Sequence, residues 1–283
     1  MTLVPLNELL YKARAGKYAV CAINCCNIEN VKCVLEAASE ACSPIIIQAA
    51  PSEARHSTAQ GLAAVVNAIG RDLKVTAAIH LDHGDSFELA VQCIRGGFTS
   101  VMFDGSSLSF QDNIEMTRKI VEFSHAAGIS VEAELGMIGK ATEMDELLAP
   151  NYMTDPDKAE EFVNATKVDC LAVAIGNAHG FYHFPPKLDL SRLAAIAQKV
   201  QIPLVLHGGT GIPEDQIKDS IKLGISKINF STVTKKAFID AVKLYLAENP
   251  DTVSLTRLME AGSVSFKEKV ASAIRQCGSI GKL

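Results

Sequence analysis

Three histidines stand in settings that suit one divalent metal ion. They are His83 in His80-Leu81-Asp82-His83-Gly84, His179 in Gly176-Asn177-Ala178-His179-Gly180, and His207 in His207-Gly208-Gly209-Thr210-Gly211. Each follows an apolar, strand-like run (Val75 to Ile79, Leu171 to Ile175, Leu204 to Leu206), and each is followed at once by Gly. Neutral imidazole is a good ligand for a divalent transition metal, and three protein ligands leave a position open for a substrate. The adjoining glycines let backbone N–H groups approach an anion. His56, His125 and His183 lack this setting, and His80 is free to point away from the site.

The acidic residues form a second pattern. Glu132 and Glu134 are two apart, so on a strand they share one face. If that face is interior, both carboxylates need partners. A metal or a metal ligand supplies one, and a lysine such as Lys227 supplies another. Asp104-Gly105-Ser106 is a milder signal, because Asp before Gly is also common in plain turns. Two further segments suit a phosphate: Gly208-Gly209-Thr210-Gly211, and Asn229-Phe230-Ser231-Thr232 at the start of a helix. Backbone N–H groups, hydroxyls and a helix N-terminus favour a dianion there.

These groups need a frame to bring them together. Strand candidates are Ala19–Ile23, Pro44–Gln48, Val75–His80, Ser100–Phe103, Ser130–Glu134, Cys170–Ala174, Leu204–His207 and Ile225–Asn229. Between them lie helical patterns such as Ile28 to Ala41, Asn113 to His125 and Glu214 to Leu223, the last opened by Pro213. Strands alternating with helices imply parallel pairing, and eight such units over this length fit a TIM (β/α)8 barrel. The reading is a single barrel domain over residues 1–283, with extra C-terminal helices around Leu255 to Cys277. In a barrel all the polar groups named above gather at the C-terminal ends of the strands, where barrel enzymes place their sites. The irregular stretch from Gly136 to about Asp155 follows the fifth strand and reads as a lid on that face.

Composition narrows the functional classes. Of 283 residues, 48% are hydrophobic, enough for a large core. The net charge of −5, with no basic cluster, argues against a nucleic-acid surface. No apolar run approaches the ~20 residues of a membrane helix, and the first residues do not resemble a signal peptide. A soluble, cytoplasmic protein is expected, with its eight cysteines reduced and mostly buried.

The chain resembles the class II, zinc-dependent ketose-bisphosphate aldolases, of the tagatose-bisphosphate and short fructose-bisphosphate type. The likeness runs almost end to end, through Tyr18-Ala19-Val20, His80-Leu81-Asp82-His83, Val101-Met102-Phe103-Asp104-Gly105-Ser106, Ser130-Val131-Glu132-Ala133-Glu134-Leu135-Gly136, Leu171-Ala172-Val173-Ala174-Ile175-Gly176, His179-Gly180, Leu206-His207-Gly208, Lys227-Ile228-Asn229 and Cys277-Gly278-Ser279. The resemblance implies that His83, His179 and His207 hold one catalytic Zn²⁺ per chain, and it allows a monovalent cation beside it. It makes Asp82 the acid that protonates or polarises the aldehyde oxygen. It gives Asn24, Gly180, Gly208, Gly209, Thr210, Asn229, Phe230, Ser231 and Thr232 to the phosphorylated substrate. It places Asp104 and Glu134 near an alternate or second metal position. It also implies a homodimer or homotetramer.

This sequence departs from the family pattern in three places. Gly139-Lys140-Ala141-Thr142-Glu143 stands where relatives carry a Gly-Gly-Gln-Glu-Asp-like stretch whose acid transfers a proton. Thr142 takes the place of that acid, so Glu143 is the expected base, with Asp145 and Glu146 next. Gln48-Ala49-Ala50-Pro51-Ser52 replaces a loop that often offers a hydroxyl and Gly. Ser231 stands where relatives have Asp or Ala. The expected activity is cleavage of a ketose 1,6-bisphosphate to dihydroxyacetone phosphate and an aldehyde phosphate. The alternatives are the same mechanism on another phosphorylated keto-sugar or deoxy-keto-sugar acid, or a non-catalytic sugar-phosphate-binding subunit.

Overall fold

The computed structural model of the chain describes residues 1–143, 148–149 and 152–283. Its strands are β1 (Thr2–Leu3), β2 (Val20–Asn24), β3 (Ile45–Ala49), β4 (Thr76–Gly84), β5 (Ser100–Phe103), β6 (Ser130–Leu135), β7 (Cys170–Val173), β8 (Leu204–Leu206) and β9 (Ile225–Phe230). From β2 to β9 each strand pairs in parallel with the next, and β9 pairs with β2. The sheet therefore closes into an eight-stranded barrel, as expected from the sequence. The extra strand β1 lies parallel to β4, with Thr2 opposite Thr76.

Eleven helices surround the barrel among the described residues. They are α1 (Leu6–Gly16), α2 (Ile28–Glu40), α3 (Pro51–Ser57), α4 (Ala59–Gly70), α5 (Phe87–Arg95), α6 (Phe110–Ala126), α7 (Pro156–Thr166), α8 (Leu190–Lys199), α9 (Glu214–Lys222), α10 (Thr232–Glu248) and α11 (Leu255–Gln276). Helix α6 begins three residues before the periodic pattern that predicted it. Ser109 caps its first turn by accepting the Asp112 N–H at 3.2 Å. Among the described residues no helix is long and apolar enough to cross a membrane, and all eight cysteines are free thiols.

Strand alternation divides the core in two. Outward-facing residues such as Ile23, Ile47, Ile79, Val101, Leu171 and Leu206 pack under the helices in the main cluster. Inward-facing residues Val20, Ala22, Ile46, Ala78, Met102, Cys170, Ala172 and Val205 form a second cluster with Leu6, Leu9, Leu10 and Ala13 of α1. Helix α1 thus plugs the N-terminal mouth with apolar side chains. The polar groups are left to the other half of the barrel, towards the strands' C-terminal ends. Leu10 is fully buried in this plug. Leu10→Ala should cost about 2–5 kcal/mol, the usual range for a buried leucine truncation. Denaturant unfolding reads the loss, and activity per folded molecule should stay at the parent level.

Candidate active site and metal centre

His83 reaches the barrel mouth through a local irregularity in β4. The register of β4 against β5 shifts between Leu81 and Gly84, and His83 has a left-handed backbone with φ of 49°. Regular alternation would point His83 outward, on the same face as Leu81. The shift turns its ring inward instead. Gly84 makes this possible, because a Cβ there would lie 2.3 Å from the Met102 carbonyl oxygen of β5. His207 follows β8 directly, and His179 sits in the loop after β7. The His179 backbone is pinned on both sides: its N–H donates to the Gly139 carbonyl at 2.8 Å, and its carbonyl accepts from the Ala141 N–H at 2.7 Å.

The three rings converge. Nε2 of His83 lies 3.1 Å from Nε2 of His179 and 2.9 Å from Nδ1 of His207. The opposite nitrogen of each ring is engaged elsewhere. Nδ1 of His83 pairs with Asp104 at 2.7 Å, Nε2 of His207 pairs with Glu132 at 2.8 Å, and the His179 ring bonds the Ile138 backbone. With the outer nitrogens carrying protons, three inner ring nitrogens face one point, and once His83 gives up its second proton they form the donor set a divalent transition metal takes. His83, Asp104 and Glu134 make a second convergent group on the other side of the same ring.

Charges keep only one extra proton in this cluster. Burial opposes it, but Asp82, the Asp104 bond and Glu134 raise the pKa of His83 to about 10. Burial, then the His83 charge, lowers His179 to about 4 and depresses His207. Burial and the neighbouring Asp104 raise Glu134 to about 8, so it holds its proton at neutral pH. Burial pushes Asp82 up, yet His83, His207 and Lys227 outweigh it and hold it well below the usual carboxylate range. Asp82 is further fixed by three amides: Asn229 donates to Oδ1 at 3.0 Å, and Asn24 and Gln48 donate to Oδ2 at 3.0 and 3.2 Å.

A cleft of about 480 Å³ opens above these groups. Asn24, Asp82, His83, Asp104, His179, Gly180, Gly208, Thr210, Asn229, Ser231 and Thr232 all line it. Ser231 gives the N-terminal end of α10 no side-chain cap; Thr210 Oγ1 accepts the Val233 N–H at 3.4 Å, and the helix end otherwise presents its positive dipole end to an anion. The buried Asn229 Oδ1 also has no partner, leaving an acceptor for a substrate hydroxyl. Gly208 is required by close approach: its φ is +66°, and a Cβ would lie 2.0 Å from the Ala178 carbonyl oxygen.

Several expectations need correction. His80 does not turn away: it is fully buried inside the barrel, with Nδ1 2.8 Å from Ser100 Oγ. Gly209 does not line the cleft, and its N–H is spent on the Asn229 carbonyl at 3.0 Å. The Phe230 side chain packs in the outer core, because it alternates with inward-facing Asn229. Both amide hydrogens of Asn24 serve carboxylates, those of Glu53 and Asp82, so this residue positions Asp82. Glu143 ends a 3₁₀ turn over Ala141–Glu143, but its carboxylate lies outside the described residues, as do Asp145 and Glu146. The sequence reading missed Lys235, which lines the cleft and ion-pairs with Glu53. A lysine in a first helical turn opposes the helix dipole, and that was its available signal. It also missed Tyr182, whose hydroxyl accepts from the Ala178 N–H at 2.8 Å beside the Gly208 carbonyl at 3.2 Å.

Comparison with known proteins bears on the family and the fold. The family model for class II fructose-bisphosphate aldolase matches residues 4–282. A fructose-bisphosphate aldolase from Geobacillus stearothermophilus is 42% identical, over 100% of this chain and 99% of its own. The crystal structure of the YdjI aldolase from Escherichia coli K12 superposes with a TM-score of 0.86 at 34% identity, covering 99% of each chain. A solved chain from Coccidioides immitis gives 0.87 at 30% identity, covering 98% of this chain and 97% of that one.

Two outcomes follow from the site. Gly208→Ala should lose substrate affinity and destabilise the fold by more than ~1 kcal/mol, since alanine suits neither the backbone nor the space; isothermal titration and thermal melts read both. Metal binding must displace the proton of His83. Below pH 10 the chelated protein should therefore release about one proton per Zn²⁺, and its zinc affinity should rise roughly tenfold per pH unit through the neutral range. A flat affinity between pH 6.5 and 9 would contradict this.

Proposed function

Because the chain belongs to the class II fructose-bisphosphate aldolase family, we propose that it cleaves a ketose 1,6-bisphosphate of fructose or tagatose configuration. The products are dihydroxyacetone phosphate and an aldehyde phosphate, and the cofactor is one Zn²⁺ per chain. What carries the reading is the meeting of three ring nitrogens beside an ionised Asp82, below two loops rich in N–H groups. His83, His179 and His207 would hold the ion, with Asp104 and Glu134 as the second set. When bound, the ion acts as a Lewis acid that withdraws electrons from the substrate carbonyl.

The chain's own groups do the rest. The C1 phosphate takes the N–H groups of Gly180, Gly208 and Thr210 and the α10 end at Ser231 and Thr232. The Asn229 oxygen accepts a substrate hydroxyl. Asp82, held as a carboxylate by Asn24, Gln48 and Asn229, accepts the proton of the C4 hydroxyl. The C3–C4 bond then breaks, C4 leaves as the aldehyde, and its electron pair stays with C3. A carboxyl on the loop after β6, assigned to Glu143, returns a proton to C3. In the condensation direction both transfers reverse, and Asp82 becomes the acid expected from the sequence. Lys235 supplies a cation at the cleft wall for the distal phosphate. Exposed Ile239, Leu244, Val253 and Leu255 on and between α10 and α11 support an assembly of two or four copies.

Coupled detection of dihydroxyacetone phosphate from fructose and tagatose bisphosphates tests the reading directly. Chelation should abolish release, and stoichiometric zinc retention by the His83, His179 and His207 triple alanine variant would rule the site out. Asp82→Ala should keep zinc and lose ~10²–10⁴-fold in cleavage, the range of general acid–base catalysis. Normal turnover with weaker zinc binding would instead make Asp82 only an orienting group. Glu143→Gln should leave zinc binding intact and slow exchange of the C3 proton of dihydroxyacetone phosphate with solvent by ~10²-fold or more. Parental exchange rates in that variant would remove Glu143 from the mechanism.

A further inference from the structure

The barrel interior holds a charged pair below the cleft that does not line it. Lys227 on β9 and Glu132 on β6 are both fully buried, with Nζ 2.8 Å from Oε2. Such a pair is expensive to bury, and apolar residues of similar volume often serve a fold as well or better. Its surroundings show what it decides. Two histidines face the Glu132 carboxylate, one at each oxygen. Oε1 accepts Nε2 of His207 at 2.8 Å, while Nε2 of His80 stands 3.4 Å from Oε2 without a hydrogen-bond partner. Lys227 lies on the Oε2 side.

We infer that Lys227 is a positioning residue for the metal site: by holding Oε2, it aims Oε1 of Glu132 at His207 and not at His80. Glu132 then keeps the His207 proton on Nε2 and leaves the Nδ1 lone pair facing the cleft. Ser100 secures His80, bonding its Nδ1 at 2.8 Å. Without the Lys227 contact, the carboxylate can turn to His80, and nothing fixes the His207 tautomer. A bond that sets a ligand's tautomer is typically worth 10–100-fold in metal affinity. The inference rests on the metal-dependent reading given above.

The test is made on the full-length chain, chelated and then titrated with Zn²⁺ alone. Nitrogen-15 spectra of the chelated parent should show His207 protonated at Nε2; protonation at Nδ1 there overturns the assignment. Lys227→Met should give His207 signals of mixed tautomers and a zinc affinity roughly 10–100-fold lower. Affinity for inorganic phosphate should stay at the parent level, which general unfolding would not permit. If Lys227→Met does not fold, Lys227→Met combined with Glu132→Gln removes the lone buried charge. That double variant should fold, yet show the same mixed tautomers and weakened zinc binding, because nothing then orients the new side-chain amide. A single Nε2 tautomer with parental zinc affinity, in whichever variant folds, overturns the inference. Failure of the parent to bind Zn²⁺ would instead defeat the underlying metal reading, so the two failures are distinct.

Discussion

Carboxylates inside a parallel barrel have no water to turn to, and each must meet a cation or donor in place. Asp82 and Glu132 inside this barrel, and part-exposed Asp104 at its mouth, all stay ionised, and the arrangement of the site follows from how each is satisfied. Asp82 takes three amide hydrogens, Asp104 takes a histidine and a hydroxyl, and Glu132 takes a lysine and a histidine. Glu134 lacks such partners beyond one backbone N–H and so holds its proton up to about pH 8. The histidines are oriented as a consequence. Two of the three are locked by carboxylates behind them, and the inward ring nitrogens are what remains.

The same need explains why the barrel is divided along its axis. Small and aliphatic side chains close the N-terminal half against α1. Polar groups begin one layer higher, at Gln48, His80, Ser100, Glu132 and Lys227, all fully buried, and continue upward to Asp82, His83 and Asn229, which line the cleft. The apolar plug seals the polar layer from water on one side. Coulomb interactions in the layer above are therefore less screened than at the surface, which lets a few neighbours move His83 up to about 10 and His179 down to about 4.

Much of this was legible because a strand's period of two is simple. Glu132 with Glu134, and Lys227 with Asn229, point inward by alternation alone, and the eight strands stood out as β-branched runs between helical patterns. Alternation also explains what was misread. His80 shares the face of Asp82 and must therefore enter the barrel, while Phe230 must leave it if Asn229 enters. His83 is the reverse case: the period would have excluded it, and only a register shift with a left-handed residue brings it in. Neither feature has a sequence signal beyond the following Gly84. The Tyr182 bridge between the loops of His179 and Gly208 depends on backbone carbonyls that no pattern of residue types reveals.

Charge balance then separates the two ends of the substrate. Three ionised carboxylates in the barrel are met by Lys227 and by the extra proton on His83, which leaves one negative charge. On the proposed metal-dependent reading, exchanging that proton for a divalent cation would cancel the remainder and leave the loaded interior neutral. A neutral interior exerts no net repulsion on an incoming phosphate. The proposed substrate phosphate would then be held by uncharged donors, the N–H groups of Gly180, Gly208 and the α10 end, which suit an anion of any protonation state. The accessible positive charge is kept at the rim, where Lys235 remains partly exposed in its ion pair with Glu53. An anion meeting Lys235 must draw it away from that carboxylate. On the proposed reading, binding at the far end of the substrate would therefore depend on salt and on substrate length, while binding at the near end would depend on the order of the loops.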